Sequence, residues 1–198
     1  ITDMNQPLGN TIGNAIEIKE AIETLKGHGP KDFTELCMQA AEIMLMQGKV
    51  AENKEEARKM LEEVVASGKA FETFKDMVKA QGGNVDMIEN PELLPQSKFK
   101  TEIKSEESGD VKVLHSERLG VLAMQLGAGR ETKEQDVNHA VGLELACKRG
   151  DKVNKGDTIC IVYHDEELKP QWVEELYHAF ELTNEEVAPQ PIIEKVLS

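Results

Sequence analysis

The sequence has no CxxC pair, and its three cysteines, Cys37, Cys147 and Cys160, are spaced too widely to suggest a disulfide framework. An odd number of isolated thiols fits reduced side chains in a cytoplasmic protein. Positive charge is scarce: 23 Lys and Arg stand against 37 Asp and Glu, a formal net charge of −14. Wrapping nucleic acid or lying on an anionic membrane needs basic patches, so no nucleic acid and no membrane is expected as a partner. No apolar run approaches the ~20 residues that cross a bilayer. The histidines, His28, His115, His139, His164 and His178, share no HxxxH or HxH spacing, which removes the simplest metal-ligand patterns. What is left is an acidic chain of 198 residues, long enough to bury a core in one or two domains.

The first half reads as capped helices. Asn14 with Glu17 starts one, and Ala15, Ile18, Ile22 and Leu25 recur at helical spacing until Gly27-His28-Gly29-Pro30. Asp32 with Glu35 starts a second, carrying Leu36, Ala40, Ile43 and Met44 before Gly48. Its apolar residues spill beyond one stripe, which predicts a well-buried helix. Asn53 with Glu56 starts a third, with Ala57, Met60, Leu61, Val64 and Val65 inward and Gly68 after it. A fourth carries Phe71, Phe74, Met77 and Val78 and closes at Gly82-Gly83.

Residues 84 to 98 lose this periodicity. Asn90-Pro91 and Leu94-Pro95 mark a linker to a second domain. Beyond it the period shifts toward two: Phe99 to Ile103, Val111 to Leu114, Val141 to Ala146 and Thr158 to Tyr163 read as strands. Glu117 to Leu126 reads as a short helix stopped by Gly127-Ala128-Gly129. Trp172, Val173, Leu176, Tyr177 and Phe180 form the apolar face of a last helix.

The chain opens on Ile1-Thr2-Asp3-Met4-Asn5-Gln6-Pro7-Leu8-Gly9, followed by Gly13-Asn14-Ala15 and Lys19-Glu20-Ala21-Ile22. By residue type this is a strand-to-helix turn, with Asx side chains bonding nearby backbone and Pro7 fixing φ. It reads as the end of a buried strand whose earlier part is missing. Then come Gln81-Gly82-Gly83, Leu94-Pro95-Gln96, Leu126-Gly127-Ala128-Gly129-Arg130, and Asp136-Val137 with Ala140-Val141-Gly142. In this order the motifs resemble the C-terminal portion of the pyrimidine-nucleoside and thymidine phosphorylase family.

That resemblance implies an α/β fold class: residues 1-95 as the helical remainder of the family's large α/β domain, then residues 96-198 as an α+β domain on a barrel-sandwich or hammerhead core. It implies a glycosyltransferase of the pentosyltransferase kind, carrying out reversible phosphorolysis of pyrimidine nucleosides in a cytoplasmic salvage route. Inorganic phosphate would be the co-substrate, potassium a possible monovalent cation, and the whole enzyme a homodimer. The family's phosphate- and pyrimidine-binding side chains lie on a glycine-rich loop and an Arg, Ser and Lys segment expected upstream of Ile1. No catalytic residue is therefore expected in these residues, and the chain alone is expected to be inactive. Met4 is the candidate to border the pyrimidine pocket. Glu56, with Glu55 as the neighbouring register, is the candidate cation ligand. The family's AMP-acting relative fits these helices less well.

Other motifs carry their own readings. Gly127-Ala128-Gly129-Arg130 offers a phosphate loop or, more simply, a helix C-cap and turn. Gly150-Asp151-Lys152-Val153-Asn154-Lys155-Gly156-Asp157 looks like the hairpin of lipoyl- and biotinyl-type domains, with Val153 plugging a core. The alternative from another class is thus a non-enzymatic carrier or binding module. Lys148, Lys152 and Lys155, however, lack the flanking residues of a displayed carrier lysine. His164-Asp165-Glu166-Glu167 reads as a cation site or, more simply, as an exposed acidic loop.

Overall fold

The computed structural model describes residues 1–197. By packing, the chain divides into two compact units: residues 19–93, and residues 1–18 together with the chain from Leu94 onward.

The middle unit is helical. It holds most of α1 (Ala15–Leu25), then α2 (Lys31–Gln47), α3 (Lys54–Ala66), α4 (Lys69–Ala80) and the short α5 (Asp86–Glu89), with a 3-10 turn at Pro91–Leu93. The last two lie inside the expected linker. Ile88 is buried there, so this stretch is packed rather than structureless. Side-chain capping is real at α3, where Asn53 accepts from the Glu56 amide. At α2 the expected Asp32 cap is displaced. Pro30 is the N-cap and Asp32 sits in the first turn, since proline there loses no needed amide. The expectation of a buried α2 is also overturned. Met44 is 70% exposed, and the buried residue of this helix is Glu42. Likewise α4 buries no residue completely, although its apolar period is regular.

The other unit carries the apolar core and all the strands. One antiparallel sheet has the order β1 (Thr11–Gly13), β4 (Gly142–Leu145), β6 (Thr158–His164), β2 (Phe99–Lys104). A second has β5 (Lys152–Val153), β3 (Gly109–Leu114), β7 (Phe180–Thr183). Between strands, α6 (Ser116–Ala123) runs into a π-helical turn at Met124–Ala128, and α7 (Pro170–Ala179) precedes β7. Alternation puts Cys160 and Val162 on one face of β6, and Ile159 on the other face is buried as well. With Ile103, Val111, Leu114, Leu143 and Leu145 they join Leu119, Leu122, Trp172 and Leu176 of the helices in one cluster. Val153 is buried in the same cluster, as the hairpin reading requires.

The strands differ from the sequence reading in several places, and Thr11–Gly13 and Lys152–Val153 are strands where turns were expected. Phe180 belongs to β7 rather than to the last helix, because its backbone turns extended at φ −115, ψ 118 to pair with Leu114. The opening residues do not form a buried strand end. Ile1 is 62% exposed, and Thr2 makes an isolated bridge with Ile193.

Candidate functional site

The opening turn is built from Asx chemistry. Asp3 is buried, and its Oδ1 accepts from both the amide and the side-chain nitrogen of Asn5, at 2.9 and 2.7 Å. The Asp3 amide donates to the carbonyl of Ile192 in the C-terminal tail. Met4, the candidate for the pyrimidine pocket, is 83% exposed, and its carbonyl accepts from Ser116 Oγ. Further along, the Lys148 ammonium donates to the carbonyls of Pro7 and Gly9. The lysine weighed as a carrier arm is therefore folded against the backbone.

At the start of α1, Glu17 Oε1 accepts from the Gly13 amide at 2.8 Å. A pocket of about 460 Å³ opens beside this helix end, lined by Asn14, Ile18, Leu94, Pro95 and His139 among others. A carboxylate already occupies the positive end of the helix, so an anionic ligand there would meet like charge. A second groove, of about 560 Å³, lies between α6 and α7. Glu117, Glu174 and Glu175 rim it, and its Arg118 is committed to Glu175 at 2.7 Å. Neither cavity gathers the cationic donors that a phosphate demands.

Gly127-Ala128-Gly129-Arg130 ends a helix. Gly127 adopts φ +109, its carbonyl accepts from the Asn138 amide, and the Ala128 carbonyl accepts from Asn14 Nδ2. The loop thus offers its carbonyls to protein donors, while Arg130 is exposed. Asn138 Nδ2 in turn donates to Asp165 Oδ2, and Asp165 Oδ1 accepts from the Lys98 amide, both at 2.7 Å. These bonds, that from Asn138 foremost, hold the Asp165 carboxyl below its ordinary range.

His164 is a structural histidine. Its Nδ1 donates to the Glu166 carbonyl at 2.7 Å, which leaves Nε2 to accept from the Thr101 hydroxyl at 2.8 Å. With both nitrogens used and Phe99 stacked on the ring, it has no lone pair for a metal. Glu56 is exposed, and its Oε2 accepts from the Glu52 amide at 2.8 Å, closing a capping arrangement around Asn53. Glu55 is exposed on the same turn. Among the described residues, no group of three His, Cys, Asp or Glu side chains is placed to hold a metal ion.

Two side-chain clusters went unnoticed in the sequence. Arg58 of α3 forks onto Glu35 at 2.8 and 3.0 Å and also bonds the buried Glu42. On the sheet, Tyr163 donates to Glu144 at 2.5 Å, and burial followed by that carboxylate pushes the phenol pKa up. The signal for the first cluster was present: Glu35 and Glu42 lie two helical turns apart, and Lys54 and Arg58 one turn apart.

Residues 111–183 match the family model of the pyrimidine nucleoside phosphorylase C-terminal domain. Over nearly its whole length the chain also resembles pyrimidine-nucleoside phosphorylases. It is 43% identical over 192 residues to that of Bacillus subtilis (strain 168), covering 97% of this chain and 44% of the relative. It is 44% identical over 198 residues to that of Staphylococcus aureus (strain USA300), covering 100% of this chain and 46% of the relative. Residues 111–183 are thus recognised as the C-terminal domain of that family, and the chain as a whole is similar to its members. It spans about half the length of the curated relatives it matches. The match at residues 111–183 begins within β3 and runs through α6, β4, β5, β6 and α7 to the end of β7, so it takes in strands of both sheets, though not β1 or β2, and most of the apolar core.

Proposed function

We propose that these residues form the C-terminal part of a pyrimidine-nucleoside phosphorylase, a pentosyltransferase that exchanges a pyrimidine base for phosphate on a (deoxy)ribose. The observation that carries the reading is the 43–44% identity to named phosphorylases across almost the entire chain. In this reading residues 1-95 complete the large α/β domain and residues 96-198 form the α+β domain on a barrel-sandwich core, with β1 from the first segment joining one of its two antiparallel sheets at the edge. The substrates are small molecules, a pyrimidine nucleoside and phosphate. The whole enzyme is a homodimer working in cytoplasmic nucleoside salvage.

Phosphorolysis needs a phosphate held beside C1′ and stabilisation of charge on the departing base. The acidic groove and the Glu17-capped pocket do not supply those donors. The 198 residues alone are therefore proposed to be inactive, with the phosphate-binding groups elsewhere in the enzyme. Met4, exposed on the opening turn, is proposed to border the pyrimidine pocket of the complete protein. Glu56 is proposed as one ligand of a potassium ion. Its Oε2 is spent on the Glu52 amide, so it would contribute as a single donor among carbonyls supplied by other segments.

The test is a chimera in which these residues replace the matching C-terminal part of the Bacillus subtilis phosphorylase, assayed with uridine, thymidine and phosphate. Base release by the chimera and none by the isolated chain is the expected result. A folded chimera without phosphorolysis, or turnover by the isolated chain, overturns the reading.

A further inference from the structure

We propose that Lys148 is the positioning residue of the opening turn, and that the turn and the glycine-rich hairpin are one structural device although about 140 residues separate them in sequence. Gly9 is buried and sits at φ +68, which turns the backbone so that its carbonyl and that of Pro7 face the same ammonium. A buried carbonyl without a partner is costly, and an ammonium with three donors can satisfy both at once through charge-assisted bonds. One residue later the chain is already in the sheet: the Asn10 carbonyl accepts from the Leu145 amide at 2.7 Å. The segment Leu145 to Lys148, at the end of β4, therefore receives residues 7 to 10 from a single short stretch of backbone.

The lysine is itself held. Its amide donates to Asp151 Oδ2 at 2.8 Å, and the Asp151 amide returns a bond to the Lys148 carbonyl at 3.0 Å. Gly150 takes φ +90 inside this turn, and Pro189 packs so close that a Cβ there would meet its backbone nitrogen at 3.0 Å. The hairpin's Gly150-Asp151 thus fixes where the Lys148 backbone stands, and the side chain carries that position to Pro7 and Gly9. This role is independent of whether the complete protein is a phosphorylase.

Hydrogen–deuterium exchange on the full 198-residue chain tests it. In Lys148→Met, the amides of residues 8–13 exchange about tenfold faster or more, while those of β2 and β6 keep their rates. Lys148→Arg, which retains a cation with several donors, keeps the slow exchange of residues 8–13. Asp151→Ala accelerates the same residues, and it serves as the decisive variant if Lys148→Met does not fold. Unchanged exchange of residues 8–13 in the folded variant, equal acceleration of β2 and β6, or an Arg variant as fast as Met would each overturn the proposal.

Discussion

Among the buried polar and charged residues described, Glu42 is the one most completely removed from water. It is fully buried on α2; Oε1 bonds Arg58, and Oε2 faces the Lys54 ammonium at 3.5 Å without forming a hydrogen bond. Removing one partner of a buried pair costs more than the pair contributes, because the remaining charge is stranded. Arg58→Met should therefore lower stability by ~3 kcal/mol, the lower end of the usual range because Lys54 remains. A denaturant melt followed by ellipticity measures it. The same guanidinium, chiefly by hydrogen bonding, draws the Glu35 carboxyl below its ordinary value of 4.5. A depressed acid stabilises the fold fully above that value, and the contribution is lost as pH falls through the lower, folded-state pKa. The acid limb of the stability profile should flatten in Arg58→Met. Glu35 is largely solvated, so the change is small beside the loss at neutral pH.

At the level of elements, glycines decide how closely β1 approaches β4. Gly13 and Gly142 face each other in the register, and a Cβ on Gly142 would lie 2.4 Å from the Ile12 carbonyl oxygen and 2.7 Å from Ile16 Cδ1. Both glycines come from motifs that carried the family resemblance, and their pairing gives that resemblance a physical cause. Gly142→Ala must push β1 away, at a cost of about 2 kcal/mol. A lower melting temperature with lost exchange protection at residues 11–13 checks this; an unshifted melt would contradict it. Elements of this size were readable where their pattern is local. The four long helices, and strands β2, β3, β4 and β6, follow from spacing within a residue or two. Strand β1 was not readable, since three residues are held there by a partner far along the chain. Strand β7 was hidden because Phe180 continues the spacing of Trp172 and Leu176, and only its pairing with Leu114 turns it extended. The anchoring of the opening turn was hidden likewise. A lysine in a hairpin has no local signature that reports two carbonyls about 140 residues away.

Across the whole molecule, burial is distributed unevenly. The contiguous apolar cluster runs from Ile103 to Phe180, within the unit that also contains residues 1–18. Helices α2, α3 and α4 fully bury only Glu42 and Ala57. Hydrophobic stabilisation scales with apolar area removed from water, so residues 19–93 should open at lower free energy than the sheets. The chain carries its own probes for the difference. Its one tryptophan, Trp172, is buried in the sheet-bearing unit, whereas four of the long helices lie wholly or mainly in residues 19–93. In urea, ellipticity at the helical band should begin to fall before Trp172 fluorescence changes, giving two midpoints where a two-state chain gives one. Cys147 and Cys160 add a third reading. Burial pushes both thiols up to about 12, so they should resist a thiol reagent through the first transition and react only with the second. Cys37, exposed on α2, reacts from the start and serves as the internal control. Coincident ellipticity and fluorescence curves, with Cys147 and Cys160 reacting across that one shared transition, would overturn the expected order of opening.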